Sequence, residues 1–349
     1  HRADGTSFES DPRYVLKRAI KAAEDRGYTF MVKPECEFFL FHTDDEGSPT
    51  TSTHERGGYF DVGPIDLAEN VRRDIVLSLE EMGFEIEASY HEMSPAQHEI
   101  DLHMGEALTG ADNIMTFRMA VKNIAKRHGL YATFMPKPKE GTNGSGLHLN
   151  VCLLDRQGNN VFQDTNDRLG ISRTAYQFIA GIMAHGEEMM LLTNPLINSY
   201  KRLTPGYGAP NYIAWSEQSN GSVFMRVPCH REEETEIELC FPDSAVNPYL
   251  VFSACLAAGI DGIEKEMVPP ESVCENIYAM TEEEREKRGI RRLPHTMGEA
   301  IEAFRSSSFI RGVLGNDIYE KYLAAKEKEW EAFCTHVTDW EVNEYLRKY

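Results

Sequence analysis

The stretch YTFMVKPECEFFLF at residues 28–41 decides how this chain folds. Its aromatic and β-branched residues predict a β-strand. Successive side chains of a strand point to opposite faces, so Glu35 and Glu37 share one face. Solvent-facing glutamates would have the same spacing, but the apolar flanks MVKP and FFLF favour burial, and buried paired carboxylates need a cation. The stretch therefore predicts a core strand with a candidate cation site on one face.

Helices and strands alternate on both sides of this strand. Upstream, Asp11 and Pro12 predict the start of a helix that ends at Gly27. Downstream, the last hundred residues are predicted to be mostly helical. The elements predicted in between are a helix from Asp66 to Gly83, antiparallel strands at 84–92 and 97–103, a helix from Leu108 to Gly129, a hairpin at 145–162, a helix near 172–191, a long loop-rich region from Asn194 to Pro228, a strand at 234–241 and a helix from about Ala245 to Glu266.

Composition excludes several classes of protein. The chain has 349 residues, 41% of them hydrophobic, which is enough for one large core or two smaller ones. Its net charge of −20 argues against binding to nucleic acid or to an anionic membrane. No membrane span or signal peptide is recognisable, so a cytoplasmic location is expected. Seven scattered cysteines indicate reduced thiols and argue against a zinc site.

Further carboxylates and one histidine occur on other predicted strands. Glu92 and Glu99 flank the turn between two antiparallel strands, while His148 and Glu238 lie on later strands. A lone histidine among apolar residues is more often a hydrogen-bonded core residue than a ligand, so the argument depends on the combination. Many carboxylates with one imidazole and no thiolate cluster suit Mg²⁺ or Mn²⁺. Two such ions would neutralise nucleotide phosphates during phosphoryl transfer.

Short phosphate-binding motifs do not explain how a nucleotide would bind. The sequence contains no Walker motif, dinucleotide fingerprint or kinase signature. NGSG at 143–146 is a glycine-bearing loop just before the His148 strand, and by itself it is only a turn.

Six longer motifs, in their order and at about their spacing, resemble type I glutamine synthetases. The match continues through 276–294 and 325–333, so it covers essentially the whole chain. Without a longer acidic insertion near Tyr278, the chain is similar to the subgroup of firmicutes and archaea that is not regulated by adenylylation. The motifs are PECEFFLF at 34–41, GGYFDVGPID at 57–66, HEMSPAQHEID at 91–101, NGSGLHLN at 143–150, NSYKRLTPGY at 198–207 and FPDSAVNPYL at 241–250.

The resemblance implies a fold and a set of metal ligands. The implied fold class is α+β, a glutamine synthetase catalytic domain in which helices flank a curved antiparallel sheet that carries the metal site. Residues 1–349 would form this domain, with a helical part from about residue 245, and the family's N-terminal β-grasp domain is expected to be absent. The implied ligands are Glu37, Glu92 and Glu99 for the tighter Mg²⁺ or Mn²⁺ ion, and Glu35, His148 and Glu238 for the ion that bridges ATP.

The resemblance also implies a reaction. ATP would phosphorylate the γ-carboxylate of glutamate, and ammonia would then displace phosphate from the acyl phosphate to form glutamine. Arg202 and Arg226 are the implied catalytic residues. The implied substrate-binding residues are Asn143, Gly144 and Arg202, and the implied ATP-binding residues are Glu87, Asn150, Cys152 and Arg226.

Several positions depart from the family pattern around this reaction centre. Gly208 stands where a glutamate usually forms the ammonium site, and Gly221 stands where an arginine contacts the phosphoryl group, after a one-residue insertion at Ser219. Cys240 replaces a second arginine, and Glu236 stands where a basic nucleotide contact is common. Lost electrostatic donors lower the rate strongly, so full activity is in doubt.

Three interpretations remain open. The first is a divergent glutamine synthetase, and the second is a γ-glutamyl ligase that uses a larger amine, for which Gly208 would leave room. The third is a catalytically impaired protein that binds metal and nucleotide in a structural or regulatory role. A homo-oligomer is expected from the resemblance, since the family forms dodecamers.

Overall fold

The computed structural model describes residues 2–218, 220–228 and 235–349. The helices in these ranges are α1 (Pro12–Asp25), α2 (Glu69–Glu81), α3 (Ala107–Arg127), α4 (Arg173–Ala184), α5 (Gly186–Thr193), α6 (Ser199–Arg202), α7 (Pro248–Glu264), α8 (Glu282–Lys287), α9 (Met297–Arg305), α10 (Ser308–Leu314), α11 (Asn316–Cys334) and α12 (Asp339–Tyr345). The strands are β1 (Thr29–His42), β2 (Ile86–His91), β3 (Gln97–Leu102), β4 (Gly105–Glu106), β5 (Leu130–Thr133), β6 (Leu147–Leu154), β7 (Tyr212–Ser216), β8 (Val223–Arg226), β9 (Ile237–Leu239) and β10 (Arg291–Arg292).

One sheet contains all of these strands, in the order β10-β7-β8-β9-β6-β1-β3-β2, with β4 and β5 also paired to β1. The long strand β1 is central because it pairs with β6 through Thr29–Cys36, with β3 through Glu35–Phe39 and with β5 through Phe39–His42. The pairs are antiparallel except for β7 and β8, which are parallel. The predicted α+β class, a sheet flanked by helices, is confirmed.

The two faces of β1 have different environments. Phe30, Val32, Phe38 and Leu40 point to one face and join the main hydrophobic core. Helices α1, α3, α4 and α7 supply buried apolar side chains to the same core. Residues of odd number up to Glu37 point to the other face. The core on one face therefore holds the carboxylates on the other face in place.

Most elements agree with the predictions from the sequence. Helix α1 begins as expected, since the Asp11 carboxylate accepts a hydrogen bond from the Arg13 amide at 3.1 Å and Pro12 is the first helical residue. The strands on either side of the MSPA turn form the antiparallel pair β2–β3. In the described ranges, no helix combines the length and the apolar character needed to cross a lipid bilayer.

Three predictions of local structure differ in part from the structure. The loop-rich region 194–228 also contains α6, β7 and β8, whose short apolar runs are stabilised by packing in the core. The hairpin at 145–162 forms, with the Val161 amide donating to the Leu153 carbonyl oxygen at 2.9 Å, but its second arm is an isolated bridge at Asn160 and not a strand. The helix near 172–191 is two helices, which meet at His185. Of the strand predicted at 234–241, residue 234 lies outside the described residues.

Helices α4 and α7 approach each other at two glycines. A Cβ atom on Gly181 would lie 2.1 Å from the carbonyl oxygen of Ala258 and 2.8 Å from the backbone nitrogen of Gly262. A Cβ atom on Gly262 would lie 2.1 Å from the carbonyl oxygen of Gln177. Backbone atoms cannot rotate away as side-chain atoms can. The contact therefore leaves room for no side chain larger than hydrogen at Gly181 and Gly262.

We expect Gly181→Ala to lower the free energy of unfolding by about 1–3 kcal/mol, since an overpacked contact forces backbone shifts. Chemical denaturation measures this change. The matched control is Gly312→Ala in α10, where a Cβ atom would have no neighbour within 4 Å. That control should gain about 0.5–1 kcal/mol, because alanine is the better helix former. Equal stability of the two variants would contradict the close approach of α4 and α7.

Candidate active site

Strands β1, β6 and β9 bring one imidazole and three carboxylates together. Glu35 is the register partner of His148, and Asn150 is the partner of Glu238. The His148 Nδ1 atom lies 3.1 Å from Glu238 Oε1 and 3.5 Å from Glu35 Oε2. Its Nε2 atom lies 3.9 Å from Glu37 Oε1. The structure therefore gathers the residues that the sequence could only associate by resemblance.

The hairpin β2–β3 adds two carboxylates next to Glu37. Glu99 faces Glu37 across the β1–β3 ladder, and Glu92 lies directly after β2, where its side chain hydrogen bonds with that of Glu99. Burial and then the Glu37 charge raise the pKa of Glu92 to about 7. The same two causes raise the pKa of Glu99 well above its usual range. This group can stay ionised at neutral pH only if a cation joins it.

Asp101 is a buried carboxylate that the sequence argument missed. It faces Glu35 across the β1–β3 ladder. Burial and the charge of Glu35 raise its pKa to about 8. Asp101 is two residues after Glu99 on β3, so the two side chains point to the same face of the strand. This spacing could have identified Asp101 from the sequence.

His148 is a basic group among these carboxylates. Burial opposes its charged form, but hydrogen bonds to Glu238 and Glu35 outweigh burial and raise its pKa to about 10. Burial also opposes ionisation of Glu238, yet hydrogen bonds from His148 and Arg226 lower the pKa of Glu238 to about 2. The donors are carboxylate oxygens and one imidazole, which fits Mg²⁺ or Mn²⁺.

Neutral donors orient two of these carboxylates. Glu37 Oε2 accepts hydrogen bonds from Gln97 Nε2 at 2.7 Å and from the Gly146 amide at 3.0 Å. Glu35 Oε1 accepts one from Asn150 Nδ2 at 2.6 Å. Gln97, which is fully buried, also donates to the carbonyl oxygen of Gly144 at 3.0 Å and so connects the carboxylate group to the NGSG loop. Sequence reasoning did not identify Gln97.

A second buried polar network packs against the β2–β3 hairpin. Glu55 contacts His91 and accepts a hydrogen bond from the Ala96 amide at 2.8 Å. Arg72 Nη1 lies 2.7 Å from Asp66 and 2.9 Å from His98 Nδ1. These acids and histidines lie close enough together to hold a metal, but Asp66 is already paired with Arg72, and Glu55 with His91. The network is best explained as support for the turn that carries Glu92.

The residues implied for the amino acid substrate lie beside Glu37. Arg202 is 2% exposed and donates hydrogen bonds to the carbonyl oxygens of Phe241 and Cys240, each at 3.3 Å. A Cβ atom on Gly146 would lie 2.6 Å from Arg202 Nη2 and 2.9 Å from Glu37 Oε1. The glycines of the loop therefore allow the arginine and the carboxylate to approach closely.

Asn143 and Gly144 belong to the same loop. The Asn143 amide donates to Ser94 Oγ at 2.7 Å, and a Cβ atom on Gly144 would lie 2.1 Å from the carbonyl oxygen of Pro136. A Cβ atom on Gly208 would lie 3.1 Å from Asn143 Nδ2. The loop that carries Gly208 thus approaches the substrate end of the site.

Positions that depart from the family pattern lie at different distances from the carboxylates. Cys240 is buried with its Sγ atom 3.8 Å from Glu238 Oε1, and Arg226 forms two hydrogen bonds with the same carboxylate. Gly221 is exposed and has open space around it. The insertion predicted at Ser219 lies outside the described residues. The six cysteines of the described ranges are free thiols, in agreement with the prediction.

A cavity of about 490 Å³ lies next to the carboxylate face, the face of the sheet that carries Glu35, Glu37 and His148. Alternate register pairs of the β1–β6 ladder, which share this face, are Met31 with Cys152, Lys33 with Asn150, and Glu35 with His148. The first of these pairs lines the cavity, and the third carries the carboxylate and the imidazole. The other side chains that line the cavity include Lys33, Glu87 and Glu236. Its volume is in the range of small-molecule sites.

Comparison with known proteins gives one family. The family model described as glutamine synthetase, catalytic domain, matches residues 9–345. A glutamine synthetase of Clostridium saccharobutylicum is 53% identical over 349 residues, which is 100% of this chain and 78% of that protein. A glutamine synthetase of Staphylococcus aureus strain MW2 is 50% identical with the same coverage of both chains.

Solved structures agree with this comparison. A GmaS/ADP complex superposes with a TM-score of 0.88 at 30% identity, covering 99% of this chain and 79% of that one. A GmaS structure without ligand gives a TM-score of 0.87 at 30% identity, covering 98% of this chain and 78% of that one.

We expect Mg²⁺ to stabilise this protein more at about pH 8 than at about pH 6. The pKa of Glu92 rises from its ordinary 4.5 to about 7 on folding, so the metal-free fold loses stability as pH rises between these values. A bound dication removes that repulsion. Thermal unfolding with and without Mg²⁺ at both pH values measures the effect.

The matched controls are Glu92→Gln and Glu331→Gln, the second being an exposed glutamate of α11. The first should reduce the difference between the two pH values, and the second should leave it unchanged. An equal effect of Mg²⁺ at both pH values in the unmodified protein would contradict the expected charge repulsion.

Proposed function

This chain belongs to the glutamine synthetase family and is an ATP-dependent ligase of that type, and we propose that it joins glutamate to ammonia through a γ-glutamyl phosphate. The observation that carries the proposal is the convergence of six carboxylates, Asp101 included, and one imidazole on one face of the sheet, next to a cavity. Such a face concentrates positive ions where a nucleotide polyphosphate needs them.

Two ions of Mg²⁺ or Mn²⁺ are the proposed cofactors. Bound there, they would neutralise charge on the transferred phosphoryl group. Glu37 is central to the arrangement, because its carboxylate lies between the hairpin glutamates and His148. To bind a metal, the ligating nitrogen of His148 would have to be unprotonated. The proposed ligands are Glu37, Glu92 and Glu99 for the tighter ion, and Glu35, His148 and Glu238 for the ion at ATP.

The proposed nucleotide position follows from the sheet. The base and the ribose would occupy the cavity bordered by Glu87 and Cys152, with the polyphosphate extending past Asn150 towards His148. Arg226, which is now paired with Glu238, would supply positive charge to the phosphates. The structural neighbour GmaS, solved as a complex with ADP, supports nucleotide binding in this fold.

The proposed glutamate position lies at the other end of the carboxylate face. Arg202 would bind the α-carboxylate of the substrate, and Asn143 and Gly144 would hold its amino acid backbone. Gln97 connects this loop to Glu37, so the order of the substrate loop and of the metal ligands is coupled. This arrangement would place the γ-carboxylate near the transferred phosphoryl group.

A second candidate is ligation of a larger amine. Gly208 is exposed with φ +70°, and a Cβ atom there would have Asn143 as its only close neighbour among the described residues. The absence of a carboxylate side chain at this position leaves space near the proposed amine site. A third candidate is a metal- and nucleotide-binding protein of low activity, which Gly221 and Cys240 favour.

We also propose a cytoplasmic location and a homo-oligomeric assembly. Both follow the pattern of the family. The chain spans 78% of the length of two glutamine synthetases to which it was compared. The proposed assembly is therefore one formed through this shared part.

We expect glutamine to form from glutamate, ammonia and Mg²⁺-ATP, at a rate on the order of 100-fold or more below that of an enzyme with all its electrostatic donors. Release of ADP and mass spectrometry of the product measure this. Glu238→Gln should abolish turnover, while the exposed matched control Glu331→Gln should leave it unchanged. Amide formation with methylamine alone would select the larger-amine candidate, and nucleotide binding without turnover would select the third.

We expect Gly208→Glu to raise turnover with ammonia and to lower it with methylamine, because it restores a carboxylate that can accept a proton and fills the open space. The left-handed backbone of Gly208 should cost about 1–2 kcal/mol of stability. The matched control is Gly206→Glu in the same loop, which has φ +89° and no neighbour within 4 Å of its Cβ position. Equal effects of both substitutions on the two amines would contradict a specific role of position 208.

A further inference from the structure

Lys33 occupies the boundary between the cavity and the carboxylate face. It lies on β1 two residues before Glu35 and pairs with Asn150 of β6 in the ladder. Its side chain is 16% exposed and lines the cavity. A lysine side chain ordinarily keeps its ammonium group in water, so the position of this one needs an explanation.

Two carboxylates hold the ammonium group from either side. The Lys33 Nζ atom lies 2.9 Å from Glu236 Oε1 and 3.5 Å from Glu87 Oε1. Glu236 is 12% exposed and directly precedes β9, whereas Glu87 is 45% exposed and belongs to β2. The ammonium group is thus paired with carboxylates on both sides of β1.

A purely structural role explains this arrangement poorly. Burying an ion pair costs desolvation that its attraction often does not exceed, so such a pair is weak evidence for stability. An ammonium has three N–H donors, and among the described residues two of them face Glu236 and Glu87. The third remains available to a ligand in the cavity.

The spacing along β1 indicates which part of a ligand this donor would meet. Residues two apart on a strand are separated by about 7 Å. If terminal phosphates lie over Glu35 and His148, the part of the nucleotide one rung back passes Lys33 and Asn150. In a nucleoside diphosphate or triphosphate the phosphate nearest the ribose lies between the terminal phosphate and that point, within reach of the flexible lysine side chain.

Building on the proposed function, we propose that Lys33 is a nucleotide-binding residue that donates a hydrogen bond to the ribose-proximal phosphate. Glu236 is the positioning residue that holds the Lys33 ammonium group in place. The two carboxylates alone would repel a polyphosphate at this point. The positive charge of Lys33 offsets that repulsion, so that a negatively charged ligand can bind beside Glu35 and His148.

The test is binding of ADP and of adenosine, each with Mg²⁺, measured by calorimetry on the full chain. Lys33→Met should weaken ADP binding about 10- to 100-fold, the range for a charge-assisted hydrogen bond, and should change adenosine binding much less. The matched control is Lys21→Met, whose exposed lysine pairs with Asp25 on α1, and it should bind both ligands like the unmodified protein.

The double variant Lys33→Met/Glu236→Met separates two explanations. If Lys33 contacts the phosphate, the double variant stays weak for ADP. If the single variant is weak only because Glu236 loses its partner, the double variant regains affinity and the proposal fails. Equal loss of adenosine and ADP binding in the single variant also overturns it. If the unmodified protein binds ADP and Lys33→Met binds it equally well, only this inference fails; if the unmodified protein binds no nucleotide, the proposed function fails with it.

Discussion

Repulsion among carboxylates that share one face of β1 and its neighbours shapes this molecule. Glu37 faces Glu99, and Glu35 faces Asp101, across a ladder whose other face is core. Burial and mutual charge raise the pKa of Asp101 to about 8 and that of Glu99 well above its usual range. A fold that collects these groups must offset their charge with protons, with basic side chains or with metal ions.

Basic side chains lie among these carboxylates. Burial lowers the pKa of His148, but hydrogen bonds to Glu238 and Glu35 outweigh it and raise this pKa to about 10, and Arg226 forms an ion pair with Glu238. Lys33, two residues before Glu35 on β1, lies between Glu87 and Glu236. Each cation lies where an incoming group, a metal or a phosphate, would exchange partners with it.

The same geometry couples the parts of the proposed reaction. Gln97 contacts both Glu37 and the Gly144 carbonyl, and Gly146 lets Arg202 approach the Glu37 carboxylate. Changes at the substrate loop must therefore reach the carboxylate group. Cys240 lies within this arrangement, whereas Gly221 is exposed. The two positions thus have different structural settings: Cys240 lies beside Glu238, and Gly221 has open space around it.

Much of this could be predicted from the sequence, because patterns of period two and turn residues are local. The alternation in PECEFFLF predicted β1 and the shared face of Glu35 and Glu37, and Asp11-Pro12 predicted the start of α1. Motif order was enough to indicate the family. Prediction failed where stability comes from distant contacts, as in β7 and β8, whose short apolar runs between prolines and glycines resemble a loop until they pack.

Only the tertiary structure decided which groups meet. Lys33 with Glu236, Gln97 with Gly144, and Asp101 with Glu35 are far apart in sequence or lie on different strands, and their contacts depend on ladder register. Shifting one strand by a single residue would move its side chains to the other face. The sequence by itself determined the chemical groups and the face that each strand offers. The register between strands, set by packing of the whole core, determined the site.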